Sequence, residues 1–69
     1  MVTIYTTPTC GICKVIKKKL EENNIQYEEN QDENFIINTF NTNVVPILKT
    51  EEGDILMGAI NIKKWIENK

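Results

Sequence analysis

The chain changes periodicity almost at once, and that change constrains the fold more than any other feature. Val2 to Thr6 alternates β-branched and aromatic side chains and reads as a short strand, which the Thr7-Pro8-Thr9 turn ends. From Gly11 to Asn23 the spacing is helical, with Cys13, Ile16 and Leu20 on one face and Lys17, Lys18, Lys19, Glu21 and Glu22 suited to solvent. Asn23-Asn24 stops this helix, and Ile25 to Glu29 reads as a second strand with Ile25 and Tyr27 on one side. A strand, a helix and a strand in so short a span predict a parallel pair joined by a right-handed crossover.

Beyond it, Asp32 is placed to cap a short helix holding Phe35, Ile36, Ile37 and Phe40, which Asn41-Thr42-Asn43 closes. Val44 to Lys49 reads as a third strand with Pro46 near its start. Glu52-Gly53-Asp54 then turns the chain into a fourth, Ile55 to Met57. A last helix is predicted from about Asn61, with Ile62, Trp65 and Ile66 facing inward. The aromatic residues Trp65, Phe35 and Phe40 are expected in the core. The fold class is therefore α/β with the order βαβαββα, a four-stranded mixed sheet flanked by helices. The acidic stretch Glu28 to Glu33 reads as a solvated loop, and Lys14 and Lys17 read as a solvated helix face.

Sixty-nine residues make one small domain, 1–69, which buries only about 60% of the surface its unfolded chain exposes. The sequence has no His, Ser or Arg, which excludes a Ser-His-Asp triad or a Cys-His dyad within the chain. Eight Lys against ten acidic residues leave a net charge of -2 and no guanidinium fork for phosphates or base edges, which argues against a nucleic-acid partner. No segment approaches membrane-spanning length, and Met1-Val2-Thr3-Ile4-Tyr5 does not resemble a leader, so a cytoplasmic protein without a membrane partner is expected.

Against that background stand the only two cysteines, in Cys10-Gly11-Ile12-Cys13. A four-residue loop gains little stability from a disulfide, so the pair is chemical rather than structural. At the start of a helix, unpaired N–H groups and the helix dipole stabilise a Cys10 thiolate and lower its pKa. Cys13, one turn further in, is more buried. Cys10 is thus the attacking thiol and Cys13 the resolving one, with Gly11 allowing close approach of a partner backbone and Ile12 offering an apolar contact. The competing reading is half of a zinc or iron-sulfur site completed by a second chain, since no further soft ligand is present in this one.

Tyr5-Thr6-Thr7-Pro8-Thr9-Cys10-Gly11-Ile12-Cys13, with Val44-Val45-Pro46 further on, resembles the thioredoxin superfamily over nearly the whole chain, closest to small glutaredoxins and glutaredoxin-like redoxins. The resemblance implies a monomeric thiol-disulfide oxidoreductase with no bound cofactor, a redox-active Cys10-Cys13 disulfide, and disulfide-containing protein substrates such as ribonucleotide reductase. It also implies a cis Pro46 against the dithiol, Val45 offering backbone hydrogen bonds to a partner, and Pro8, Gly11, Ile12 and Gly58 lining the substrate site. The departures fall on the glutathione contacts. Thr7 stands where glutaredoxins commonly carry Lys, Ile12 where they carry an aromatic residue, and Gly58-Ala59-Ile60-Asn61 where they carry Gly-Gly and then Asp. Asn61 is read as a helix cap. These differences favour a thioredoxin-reductase-like flavoprotein over glutathione as the external reductant. At the position of thioredoxin's buried Asp stands Ile4, so proton removal from Cys13 falls to water or the departing thiolate.

Overall fold

In a computed structural model that describes residues 1–68, the inward side chains of one four-residue strand organise everything else. Strand β1 (Val2–Tyr5) turns Val2 and Ile4 to one face and Tyr5 to the other, as period-two alternation requires. Helix α1 (Gly11–Glu22) and strand β2 (Tyr27–Asn30) follow, and β2 pairs parallel to β1 with Ile4 opposite Glu29. Helix α2 (Glu33–Phe40), strands β3 (Ile47–Lys49) and β4 (Ile55–Met57) and helix α3 (Ala59–Glu67) complete the order βαβαββα. The sheet order is β2-β1-β3-β4, with β3 antiparallel to both its neighbours.

Helices α1 and α3 cover one face. Ile16 and Leu20 of α1 and Ile62 and Ile66 of α3 bury Val2, Ile4 and Leu48, and Trp65 packs partly buried against them. Each such side chain contributes about 1.5–3 kcal/mol on burial. Among the described residues helix α2 covers the other face, where Ile36 packs against Tyr5 and Ile47.

Local signals explain most element ends. Asp32 caps α2 by accepting from the Phe35 N–H at 3.1 Å, and Asn41 closes it in the left-handed region at φ 58°. Four expectations need correction. Strand β2 begins at Tyr27, because Ile25 is held by its N–H donating to the Leu20 carbonyl, a bond that closes α1. Helix α3 begins at Ala59, two residues before Asn61, because Gly58 takes φ 87° and turns the chain directly from β4 into the helix. Phe35 is 41% exposed rather than core, since an eight-residue helix can turn only one stripe, centred on Ile36, to the sheet. Strand β3 is shorter than Val44 to Lys49, for the ladder to β1 starts only at Ile47, after Pro46, which has no N–H to donate.

Candidate dithiol site

The turn Thr7-Pro8-Thr9-Cys10 is closed by the Cys10 N–H donating to the Thr7 carbonyl at 3.2 Å, with Pro8 at the position its fixed φ favours. Cys10 is the N-cap of α1, and its sulfur accepts from the Cys13 N–H at 3.2 Å. The two sulfurs form a disulfide, with Cα atoms 5.3 Å apart. Cys10 is partly exposed and Cys13 only 1% exposed, so one sulfur faces solvent and the other the interior. Gly11 has open space around its Cα, and Ile12 beside it is 47% exposed.

Topology gathers the remaining candidates. Because β3 runs antiparallel to β1, its start lies at the edge where β1 ends, and Ile47 pairs with Tyr5. The preceding Val45-Pro46 peptide is cis, and Pro46 is fully buried. Strand β4 returns to the same edge, where the Gly58 N–H donates to the Pro46 carbonyl at 2.9 Å. Thus Pro8, Cys10, Gly11, Ile12, Cys13, Val45, Pro46 and Gly58 all lie at one end of the sheet. A groove of about 200 Å³ opens there between the turn and α2, lined by Thr7, Glu33, Ile36, Ile37, Asn43 and Val45. It offers a carboxylate and an amide but no cation.

Asn61 corrects its expected role. It does not cap α3, whose N-cap is Gly58; its side-chain amide donates to the Met57 carbonyl at 2.8 Å and so tethers the first turn to β4. Lys17 and Glu29 correct two more: Glu28, Glu29 and Asn30 belong to strand β2 rather than to a loop, and Lys17, though partly exposed, is paired instead of free on its helix face. The Lys17 ammonium lies 2.8 Å from Glu29 Oε2, and the same oxygen accepts from the fully buried Thr6 hydroxyl at 2.7 Å. The Lys17 hydrogen bond first, then that from Thr6, holds the Glu29 carboxyl below its ordinary range, and Glu29 holds the Lys17 ammonium above its own. The alternation of β2 was the available signal. Glu29 shares the face of Tyr27 on this edge strand, which brings its carboxylate beside Thr6 and Lys17 although the residue itself is exposed.

Among the described residues no three His, Cys, Asp or Glu side chains converge as metal ligands, so a four-thiolate centre takes two of its ligands from a second chain. Nor is any helix among them long and apolar enough to cross a membrane.

Residues 2–31, which span β1, α1 and β2, match the glutaredoxin family model. No curated protein sequence matches significantly. Among solved structures, a glutathione transferase homologue from Sulfitobacter with bound glutathione superposes with TM-score 0.76 at 22% identity, over 99% of this chain. This chain spans only 36% of that protein. A thioredoxin-like protein superposes with TM-score 0.76 at 23% identity, over 96% of this chain and 99% of its own. A protein from X. campestris gives 0.71 at 17% identity, over 100% and 99%. These likenesses establish a thioredoxin-like fold.

Proposed function

We propose that the chain is a glutaredoxin-like thiol-disulfide oxidoreductase of the thioredoxin superfamily, a cytoplasmic, monomeric, single-domain dithiol carrier that reduces protein disulfides. The glutaredoxin match over residues 2–31 and the thioredoxin-like fold support this reading. The observation that carries this reading is the asymmetry of the pair: Cys10 caps α1 partly exposed, and Cys13 is buried behind it. In the reduced protein the Cys10 thiolate attacks one sulfur of the partner's disulfide. A Cys10–partner bond forms, and the partner's second sulfur departs as thiolate. Cys13 then gives up its proton, to the departing thiolate or to water, and attacks Cys10. The intramolecular disulfide forms and the partner leaves as a dithiol, two electrons richer.

Proteins rather than small thiols are favoured as substrates by the apolar rim: Ile12 and Val44 are each 47% exposed and Ile60, just past Gly58, is 71% exposed. Ribonucleotide reductase is a candidate acceptor. Val45 and Pro46 lie where an extended partner segment meets the dithiol, with Pro8, Gly11 and Gly58 lining its approach. For recharging, the groove that lacks a cation suits a thioredoxin-reductase-like flavoprotein better than glutathione, which brings two carboxylates. Glutathione is the second reading, favoured by the ligand bound in the Sulfitobacter neighbour.

Cys10→Ser is expected to abolish insulin disulfide reduction, and Cys13→Ser to accumulate a mixed disulfide with the substrate. Wild-type turnover by both variants would falsify the mechanism. Coupling to NADPH through each reductant separates the two recharging routes, and fast glutathione-dependent turnover of a small mixed disulfide overturns the flavoprotein preference.

A further inference from the structure

Thr6, Lys17 and Glu29 form a polar junction that the redox step described above does not use. Three segments meet there on one oxygen. Thr6 is the last residue before the turn that carries Cys10, and its N–H extends the β1–β2 ladder by donating to the Asn30 carbonyl at 3.0 Å. Its hydroxyl donates to Glu29 Oε2, as do the Lys17 ammonium and, at 3.3 Å, the Gln31 amide. Lys17 stands seven residues from Cys10 and four from Cys13, two turns and one turn of α1, and so shares the helix face of the dithiol at about 10 Å along the axis. Thr6 is fully buried, while Lys17 and Glu29 lie at the surface, their side chains 24% and 28% exposed, so the junction is only partly covered.

We propose that this junction is a positioning and charge-balancing device for the dithiol, which fixes the turn against α1 and cancels the lysine charge beneath the thiol pair. Thr6 and Glu29 anchor the end of β1 and of β2, and Lys17 ties the cysteine-bearing helix to that anchor. Electrostatics supplies the second effect. The helix N-terminus already favours the Cys10 thiolate. An uncancelled ammonium two turns below would favour it further, by about twofold to fourfold in the thiol–thiolate ratio. A more stable thiolate holds the dithiol reduced and makes the carrier a poorer electron donor. Glu29 prevents this by neutralising Lys17 on the spot. Around the junction the other titratable groups are Glu21 on α1 and Tyr27 on β2. At the dithiol end they are the exposed Lys14 of α1 and Glu33 of α2.

The inference rests on the reading of Cys10 as the nucleophilic thiol, and the test keeps the two apart. Lys17→Met, Glu29→Gln and the double variant are compared with the unaltered protein by thiolate absorbance titration and by equilibration with a glutathione redox buffer. Lys17→Met exposes a bare carboxylate, so the thiolate fraction falls about twofold to fourfold and the equilibrium moves toward the disulfide. Glu29→Gln keeps an acceptor for the Thr6 hydroxyl but leaves a bare ammonium, so both move the opposite way. The double variant returns close to the unaltered protein. A purely structural junction moves both single variants in the same direction, and that result, or three variants that match a low-titrating Cys10, overturns the proposal. An unaltered protein whose Cys10 titrates as an ordinary thiol takes down the parent reading and this one together.

Discussion

The two faces of the sheet are built to different standards. Among the described residues, seven buried ones from four elements interlock toward α1 and α3, while toward α2 the buried cluster is Tyr5, Ile36 and Ile47, with Phe40 and Val45 half covered. The larger core holds the cysteine-bearing helix. The smaller one holds the element that borders the open groove, and there Tyr5 adds aromatic contacts, stacked on Phe35 at 5.8 Å and edge-on to Phe40 at 4.9 Å. Under the proposed dithiol function, two sulfurs kept in register would need a rigid helix, whereas a surface open to a partner would tolerate looser packing.

Truncation in each core tests this difference most strongly. Ile62→Ala removes a side chain that is 0% exposed from the larger core, and a loss of about 4 kcal/mol is expected from urea unfolding. For a chain of this size, with about 3–10 kcal/mol in all, that threatens the folded state itself. Ile36→Ala should cost less, about 2 kcal/mol, because α2 can settle toward Tyr5. Equal losses at the two positions would erase the distinction between the faces.

Smaller effects sharpen it. Asp32→Ala removes the side-chain N-cap of α2 and should cost about 1 kcal/mol, read as a lower urea midpoint with an unchanged slope. A full loss of helical signal instead of a shifted midpoint would mean that the cap, not Ile36, holds α2 down.

The smallest expected effect is a pH dependence on the larger-core face. The folded Glu29 carboxyl is held low, chiefly by Lys17 and then by Thr6. Its contribution is therefore complete above the ordinary carboxylate range and is lost as pH falls through the lowered folded value. Between about pH 6 and about pH 3 the unaltered protein should lose up to ~1 kcal/mol more than Glu29→Gln. The same loss in both proteins would show that the junction adds no net stability. Lys17, held high, contributes below the ordinary lysine range and loses that contribution as pH rises through its raised value.

Much of this was legible residue by residue. The alternation of Val2 to Tyr5 and the stripe Cys13, Ile16, Leu20 specify β1 and α1, because burial repeats at the period of each element. Asp32 and Asn41 mark the ends of α2 by chemistry that acts over three or four residues. What failed was longer in reach. Phe35 has the composition of a core residue, yet its exposure depends on how wide a face α2 can present. Asn61 has the composition of a cap, but the turn at Gly58 starts the helix two residues before it.

The sequence by itself determined the order of elements, the dithiol with its exposed and buried members, and the resemblance of Val45-Pro46 to a partner-facing peptide. All of these rest on neighbours within a turn of helix or a pair of strand residues, or on a motif read in place. Only the tertiary structure decided that Val45, Pro46 and Gly58 share an edge with Cys10, since that follows from the antiparallel insertion of β3 between β1 and β4. It alone also decided that Thr6, Lys17 and Glu29, which look like ordinary polar residues in the chain, meet on one oxygen. An ion pair across twelve residues and a hydroxyl–carboxylate hydrogen bond across twenty-three form only once the crossover has laid α1 across β1 and β2.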